Sequence, residues 1–391
     1  MFLIFRIIAD VLWEYKVISV LANAIMFLVA AKYIGEIKFT VKSFIISIIL
    51  LSFILIMTLS FSKLVNAESS LIFFKATLSI FLFIIGMHSK RIASDSAIIA
   101  KMGLFLILLH LVFSVLKIGY QMWGGANTFS GLYFFKTDLA LSMVISLVYA
   151  LYFLKIKNIY KILLILICLY IVFLTNARIH LLTSFLVLVL FFFKKQILAS
   201  PKKIFFIGAP VIAISFILFI LFVQLFLPPD LLLIDVANFY SNNNMQGRNV
   251  IWDTLISKFS ASNISSQVFG LGLTADVKIN ARYADTEEVF NAHSSYLYIL
   301  ISFGYIGCIL FLTFLSMVIK RFFDLAKIYK NDLLKGNLLM VFLSIWIIFF
   351  VSSFSSVMLI FQQLMWFFFF WGGVLFNKKY FVNINPKKQL I

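Results

Sequence analysis

Two apolar runs with a single residue between them decide the fold: residues 159–176 read IYKILLILICLYIVFLTN, and residues 178–193 read RIHLLTSFLVLVLFFF. Each run approaches the roughly 20 residues that an α-helix needs to cross about 30 Å of hydrocarbon. Neither run contains an acidic residue. The pair therefore predicts two transmembrane helices that follow each other directly.

The same pattern recurs along the chain. Of its 391 residues, 63% are hydrophobic and 12% are charged, whereas soluble domains are about 45–50% apolar and about 25% charged. The apolar runs predict eleven spans: 16–34, 44–63, 70–87, 97–117, 138–154, 159–176, 178–193, 204–227, 294–319, 337–357 and 359–377. A short apolar segment at 1–13 is either an interfacial helix or a twelfth span. We therefore predict an all-α polytopic integral membrane protein with about 11–12 transmembrane helices.

Charge and cysteine content exclude several function classes. The formal net charge is +18, which in a soluble protein would suggest nucleic-acid binding, but in a membrane protein basic residues report topology. We expect no nucleic-acid partner. Cys168 and Cys308 both lie inside apolar runs far apart in the chain, which argues against zinc, redox and disulfide sites.

The distribution of Lys and Arg predicts the orientation. One set of alternate loops and span ends carries 22 basic residues and the opposite set carries 8, so the richer set and the C-terminus are predicted to be cytoplasmic. The chain then divides into residues 1–227 with about eight spans, one large extracytoplasmic loop at 228–293, and residues 294–391 with about three spans and a tail. Long loops in otherwise economical folds are usually functional or disordered.

Within the large loop, apolar residues recur at helical spacing at Val250, Ile251, Leu255, Ile256 and Phe259. This spacing predicts an amphipathic helix at the membrane surface. The loop is also net acidic, and its cluster Asp285, Glu287 and Glu288 either orients a nearby histidine or forms a solvated face.

Histidines are the scarcest candidates for chemistry. His293 lies where the large loop re-enters the membrane, and Ser294 or Ser295 can cap the following helix. The positive end of the helix dipole disfavours an imidazolium there, so a neutral ring suited to general-base work is expected. The alternative is a plain interfacial residue. His110 lies mid-span, where a hydrogen-bonded packing role is favoured over a functional one.

Two glycines follow His293 at helical spacing. On a continuous helix, Gly304 and Gly307 fall on the face of His293. Glycines three apart permit close approach of a neighbouring helix or a lipid tail. Packing alone is the other interpretation.

Two arginines on the predicted outer side stand out because basic residues are less expected there. Arg178 opens a span and Arg248 lies in the large loop. A guanidinium group binds phosphate oxygens through two hydrogen bonds, so these residues suit a lipid diphosphate. Each is alternatively an anchor at the membrane surface.

These residues lie in an ordered set of short motifs. They are Thr175-x-Ala177-Arg178, Gly247-Arg248-x-x-x-Trp252, Phe269-Gly270-Leu271-Gly272, Ala292-His293-Ser294-x-Tyr296-Leu297 and Gly304-x-x-Gly307. The set resembles the O-antigen polymerase and O-antigen ligase superfamily. Two departures are Ser294, where the family more often has Asn, and Cys308 after Gly307, where ligases tend to have Gly, Thr or Tyr.

The resemblance implies a metal-independent glycosyltransferase of C-type architecture, without cofactors, on the periplasmic face of a bacterial inner membrane. The large loop would then be periplasmic. The donor would be an undecaprenyl-diphosphate-linked oligosaccharide, and membrane lipids and a chain-length regulator protein would be further partners. His293 would accept the proton of the acceptor hydroxyl, and Arg178 and Arg248 would act on the diphosphate. The substrate-binding set is Arg178, Arg248, Arg282, Tyr296, Gly304 and Gly307.

Three activities remain in competition. A polymerase joining repeat units is favoured, because Cys308 departs from the ligase pattern. A ligase that transfers glycan to lipid A-core is the alternative. A flippase of the same lipid-linked glycan is disfavoured, since transport usually leaves charged residues buried mid-span.

Overall fold

A computed structural model describes residues 2–12, 16–35, 41–63, 65–123, 126–203, 248–281 and 291–381. Its helices are α1 (Phe2–Val11), α2 (Lys16–Gly35), α3 (Val41–Lys63), α4 (Ala67–His88), α5 (Ile92–Val115), α6 (Lys136–Phe153), α7 (Asn158–Leu174), α8 (Arg178–Phe192), α9 (Lys194–Ala199), α10 (Pro201–Lys203), α11 (Arg248–Ser260), α12 (Ile264–Phe269), α13 (Ala275–Ala281), α14 (Ser295–Tyr329), α15 (Leu333–Ser352) and α16 (Gln362–Val374). Two strands, β1 (Tyr120–Trp123) and β2 (Ala126–Phe129), form an antiparallel pair, and a 3-10 turn covers Met358–Ile360.

The all-α polytopic fold is confirmed. Among the described residues, six helices are long and apolar enough to cross a membrane: α4, α5, α6, α14, α15 and the Ile46–Lys63 part of α3. Shorter apolar helices lie at Val20–Val29, Asn158–Leu174 and Arg178–Phe192, inside three other predicted spans. The predicted span 204–227 lies outside the described residues, as does the loop segment 228–247.

Helix α16 lies at the centre of the bundle, because all thirteen of its residues are buried. It packs against α4 through glycines on both helices. A Cβ atom on Gly86 would overlap the carbonyl oxygen of Phe370, and one on Gly373 would overlap that of Phe83. Small residues therefore let the two backbones touch, as is typical of helix packing in membranes.

Hydrogen bonds show which helix ends share a side. The Asn377 Nδ2 atom donates to the carbonyl oxygens of Gly86 (3.0 Å) and Ser89 (2.8 Å), so the C-terminal ends of α4 and α16 lie together. At the other end of the bundle, Ser60 near the end of α3 donates to the carbonyl of Ser302 in the early part of α14 at 2.7 Å. The predicted outer ends of α3 and α14 therefore meet.

Helix α1 rises about 15 Å over its ten residues, half of the roughly 30 Å hydrocarbon thickness. This is too short for the twelfth span that the sequence left open. Its Arg6 is 7% exposed. The guanidinium donates to the Gln362 side chain at 2.8 Å and pairs with Asp10 one turn along α1. The helix thus packs one face into the bundle.

The strand pair is attached to α5 through His110. The His110 Nε2 atom accepts from the Leu132 N–H at 3.4 Å, so the proton lies on Nδ1, which donates to the Leu106 carbonyl at 2.8 Å. A Cβ atom on Gly131, whose φ is 57°, would overlap the ring. His110 therefore has the hydrogen-bonded packing role that was favoured from the sequence.

Candidate functional site

The start of α14, at the predicted outer end of the bundle, is held by several hydrogen bonds. Ser294 is its N-cap, with its hydroxyl accepting from the Leu297 N–H at 3.5 Å, as one of the two predicted caps. Ser295 instead binds the segment after α15: its hydroxyl accepts from the Met358 N–H at 2.7 Å. The Tyr296 hydroxyl donates to the Phe350 carbonyl at 2.9 Å. The predicted substrate-binding residue Tyr296 is thus engaged with α15.

His293 lies immediately before this cap in a left-handed conformation, with φ of 47°. Few residues other than glycine adopt this region, and such conformations persist only where the surroundings hold them. The Asn291 side chain accepts from the His293 N–H at 2.9 Å, which forms an Asx turn. His293 is half-buried.

The imidazole of His293 is neutral at physiological pH. Burial and, second, the positive charge of Arg248 lower the pKa of His293 to about 4. A neutral ring was predicted from the helix dipole, but the causes differ, since desolvation and a neighbouring guanidinium dominate here. Arg248 is therefore near enough to His293 for its charge to act on the imidazole.

Arg248 opens α11 and is half-buried. One turn further on, the Trp252 indole Nε1 atom donates to the carbonyl of Ala292 at 2.8 Å, which places α11 directly against the His293 turn. A helix is therefore present at the predicted position. Leu255 and Phe259 of the predicted apolar face are buried, but Val250 and Ile256 are exposed. Phe259 meets Tyr305 of α14 with ring centroids 5.6 Å apart.

Asp276 belongs to this site, although sequence analysis counted it only among the acidic residues of the large loop. Its carboxylate is buried in α13, and its Oδ2 atom accepts from the Ala292 N–H at 2.9 Å. Burial raises the pKa of Asp276 to about 6, against the hydrogen bond from Ala292. The sequence signal for Asp276 was a carboxylate directly after the uncharged residues 269–275. This pattern does not predict which group the carboxylate binds.

The prediction that Gly304 continues the face of His293 is wrong. Gly304 has φ 66° and ψ −167°, so the helical phase breaks inside α14. A Cβ there would lie 2.5 Å from the Gln267 carbonyl oxygen and 2.5 Å from the Gly270 nitrogen. The close approach is made by the end of α12.

Further contacts tie the same region together. The Leu271 N–H donates to the Ile301 carbonyl at 2.7 Å, and Lys63 of α3 donates to the Gly270 carbonyl at 2.5 Å. Gly307 is buried, with Phe303 and Ile56 nearest its missing side chain. Both glycines of α14 are buried and make close packing contacts within the protein.

Arg178 lies apart from the other two candidates in the contacts of the described residues. It begins α8, is exposed, and interacts electrostatically with Lys136 of α6. Its motif forms the preceding turn, in which the Ala177 N–H donates to the Thr175 hydroxyl at 3.2 Å. Arg282 lies outside the described residues, as do Gly247 and the acidic cluster 285–288.

No group of three or more His, Cys, Asp or Glu side chains able to hold a metal ion occurs within the described ranges. The polar groups that meet at the predicted outer end are instead an arginine, a neutral histidine, a buried carboxylate and an indole N–H. This set can bind an anion and accept a proton.

Comparison with protein families identifies the segment that carries this site. Residues 162–312 match the family described as O-Antigen ligase. This segment is similar to the O-antigen ligase family, and we call it the O-antigen ligase-type domain. It confirms the predicted resemblance to the O-antigen polymerase and ligase superfamily, whose members are glycosyltransferase-like enzymes of lipopolysaccharide and polysaccharide biosynthesis.

The O-antigen ligase-type domain begins in α7 and ends inside α14, so it contains Arg178, Arg248, Asp276 and His293. It also contains the Gly270–Gly304 contact. No curated protein matches the chain significantly.

Proposed function

We propose that this protein is a polymerase of O-antigen or a related surface polysaccharide, which joins undecaprenyl-diphosphate-linked repeat units at the periplasmic face of a bacterial inner membrane. The observation that carries the proposal is the juxtaposition of Arg248 and His293 at one end of the helical bundle. Both residues lie in the O-antigen ligase-type domain.

The proposed reaction assigns a role to each group. The acceptor hydroxyl oxygen attacks the anomeric carbon of the donor, and its proton passes to His293. The bond between that carbon and the diphosphate oxygen breaks, and undecaprenyl diphosphate leaves with the negative charge. Arg248 binds this charge, because a guanidinium matches phosphate oxygens in geometry and stays protonated. Arg178 supplies a second positive charge from the start of α8.

A bound diphosphate would also change the pKa of His293. In the free protein, the charge of Arg248 contributes to the low pKa of His293. Phosphate oxygens beside Arg248 offset that charge and raise the pKa of His293 toward its ordinary value. A general base works best with a pKa near the operating pH, so substrate binding itself improves His293 as a proton acceptor.

Ligation of glycan to lipid A-core is the second candidate function, favoured by the description of the matched family as O-Antigen ligase. It uses the same donor and the same catalytic groups, and only the acceptor differs. In either case the donor lipid and membrane lipids are partners, and a chain-length regulator protein is a partner of the polymerase.

A glycolipid gel from a deletion strain tests the proposal. Loss of a polymerase leaves core carrying one repeat unit, and that is the result expected here. Core without any repeat unit, together with long glycan still on the carrier lipid, would instead establish the ligase. A normal ladder of chain lengths would contradict both activities.

A further inference from the structure

Ala292, the residue that precedes His293, is held at both of its backbone polar groups. The Ala292 N–H donates to Asp276 Oδ2 at 2.9 Å, and the Ala292 carbonyl accepts from Trp252 Nε1 at 2.8 Å. The two partners come from different helices, α13 and α11, at 16 and 40 residues from Ala292 in the chain. Ala292 itself is fully buried.

The burial of Asp276 is costly, which indicates a purpose beyond packing. The residue is 1% exposed, and its Oδ1 atom has no hydrogen-bond partner among the described residues. A buried carboxylate that is incompletely satisfied destabilises a fold relative to an apolar side chain of similar size. The hydrogen bond that its Oδ2 atom accepts at 2.9 Å comes from the backbone beside His293.

The same arrangement also orients Arg248. Arg248 and Trp252 are four residues apart in α11, so they lie on one face of that helix. The bond from Trp252 to Ala292 therefore limits rotation of α11 and keeps Arg248 turned toward the His293 turn. His293 in turn holds a left-handed conformation that its surroundings must maintain.

We propose that Asp276 and Trp252 are positioning residues that clamp the backbone N–H and C=O groups of Ala292 and thereby fix His293 relative to Arg248. This inference rests on the proposed function for its catalytic meaning, but the clamp itself is a property of the unliganded protein. Neither residue contacts the substrate in this proposal. Asp276 acts through its hydrogen bond and not through its charge.

The clamp is testable without measuring activity. Diethyl pyrocarbonate acylates neutral imidazoles, and peptide mass spectrometry of the purified full chain gives a separate rate for each of its four histidines. We expect Asp276→Leu and Trp252→Phe each to raise the rate at His293 about fivefold, the population change for losing one hydrogen bond. Asp276→Asn should resemble the wild type, because its amide oxygen can still accept from Ala292.

His88, His110 and His180 are internal controls, and their rates should not change. If Asp276→Leu fails to fold, His110 and His180 will become reactive as well, and Trp252→Phe then decides the question. An unchanged His293 rate in folded Trp252→Phe would overturn the clamp. An Asn variant as reactive as the Leu variant would also overturn it, since charge and not the hydrogen bond would then matter.

A second measurement separates the clamp from the proposed function. Polymer formation should fall in Asp276→Leu, but in a His293→Ala background the same change should cause no further loss, because Asp276 acts through His293. A multiplied loss would contradict the clamp. Full activity in His293→Ala alone would contradict the proposed base, and the acylation rates would still decide the clamp.

Discussion

Arg6 is buried and Arg248 is half-buried, but the groups around the two guanidiniums differ. Arg6 has a carboxylate from its own helix, an amide oxygen from Gln362, and the ring of Trp366 5.7 Å from its guanidinium carbon. Arg248 is half-buried beside the neutral His293, and no carboxylate pairs with it among the described residues. One guanidinium is neutralised by the protein, whereas the other is placed where an external anion can neutralise it.

This difference separates a structural arginine from a binding arginine better than burial alone. A charge taken out of water needs a partner. For Arg6 the fold supplies that partner: Asp10 neutralises the guanidinium, and the hydrogen bond to Gln362 joins α1 to α16. Where the neighbour is a neutral base and no carboxylate pairs with the arginine among the described residues, we expect an external anion to bind. Changes at each site should therefore affect different properties.

The largest effect on activity is expected at His293. His293→Ala should reduce turnover by on the order of 10²–10⁴ with unchanged protein level, measured as polymer formed per molecule in membranes. His293→Gln, which retains a hydrogen-bonding group but cannot act as a base near neutral pH, should be equally impaired. An active Gln variant would leave His293 as a positioning residue only.

The pH profile provides the control for this assignment. Burial and Arg248 lower the pKa of His293 to about 4, so the free protein keeps a neutral ring above that pH and loses it as the pH falls further. Replacing Arg248 by Gln removes the positive charge and should raise the pKa of His293, because the second cause of its lowering is gone.

A smaller but still severe loss is expected at the arginines. Arg248→Lys keeps the charge and loses the planar group that binds two phosphate oxygens, so most polymer formation should be lost. Arg178→Lys should behave similarly if both arginines bind one diphosphate. The measurement is chain-length distribution on a glycolipid gel at matched protein level.

The exposed position of Arg178 makes this a discriminating pair. Loss in Arg248→Lys with a normal ladder in Arg178→Lys would restrict the diphosphate site to Arg248 and leave Arg178 as an anchor. Normal chain-length ladders in both variants would show that Arg248, like Arg6, is not needed to bind the diphosphate.

The smallest effect on turnover is expected at Arg6, where stability should change instead. Arg6→Met leaves Asp10 without its counter-charge and should cost about 3–5 kcal/mol, seen as a lower thermal unfolding temperature and a lower protein level. Activity per folded molecule should remain normal. The double change Arg6→Met with Asp10→Leu should recover most of the stability, because Asp10 is then no longer left as a buried carboxylate without its counter-charge.

The sequence predicted the spans well because the signal for a membrane helix is local. An apolar run such as 70–87 predicts a helix without reference to any other part of the chain, and α4 spans these residues. The cap at Ser294 and the helix at 248–260 were predictable for the same reason. The juxtaposition of Arg248 with His293 was expected only from the order of motifs.

What sequence could not show depends on distant contacts. The break at Gly304 exists because the end of α12 packs there, and helical periodicity assumes an unbroken helix. Asp276 was missed because its partner, the Ala292 N–H, lies 16 residues away in the chain. The same holds for α1, whose buried Arg6 makes sense only with Gln362 in place.

The central position of α16 has a consequence for biosynthesis. Gln362 follows Arg6 by 356 residues, so at about 5–20 residues per second roughly 20–70 s pass before the ribosome delivers this partner. Until then the surface of α4 around Gly86 lacks its contact with α16. Within α1, Arg6 can already pair with Asp10, which neutralises its charge. The N-terminal helices must therefore remain in the membrane with the α16-binding surface of α4 exposed. Any lipid or protein that covers this surface must dissociate when α16 is inserted.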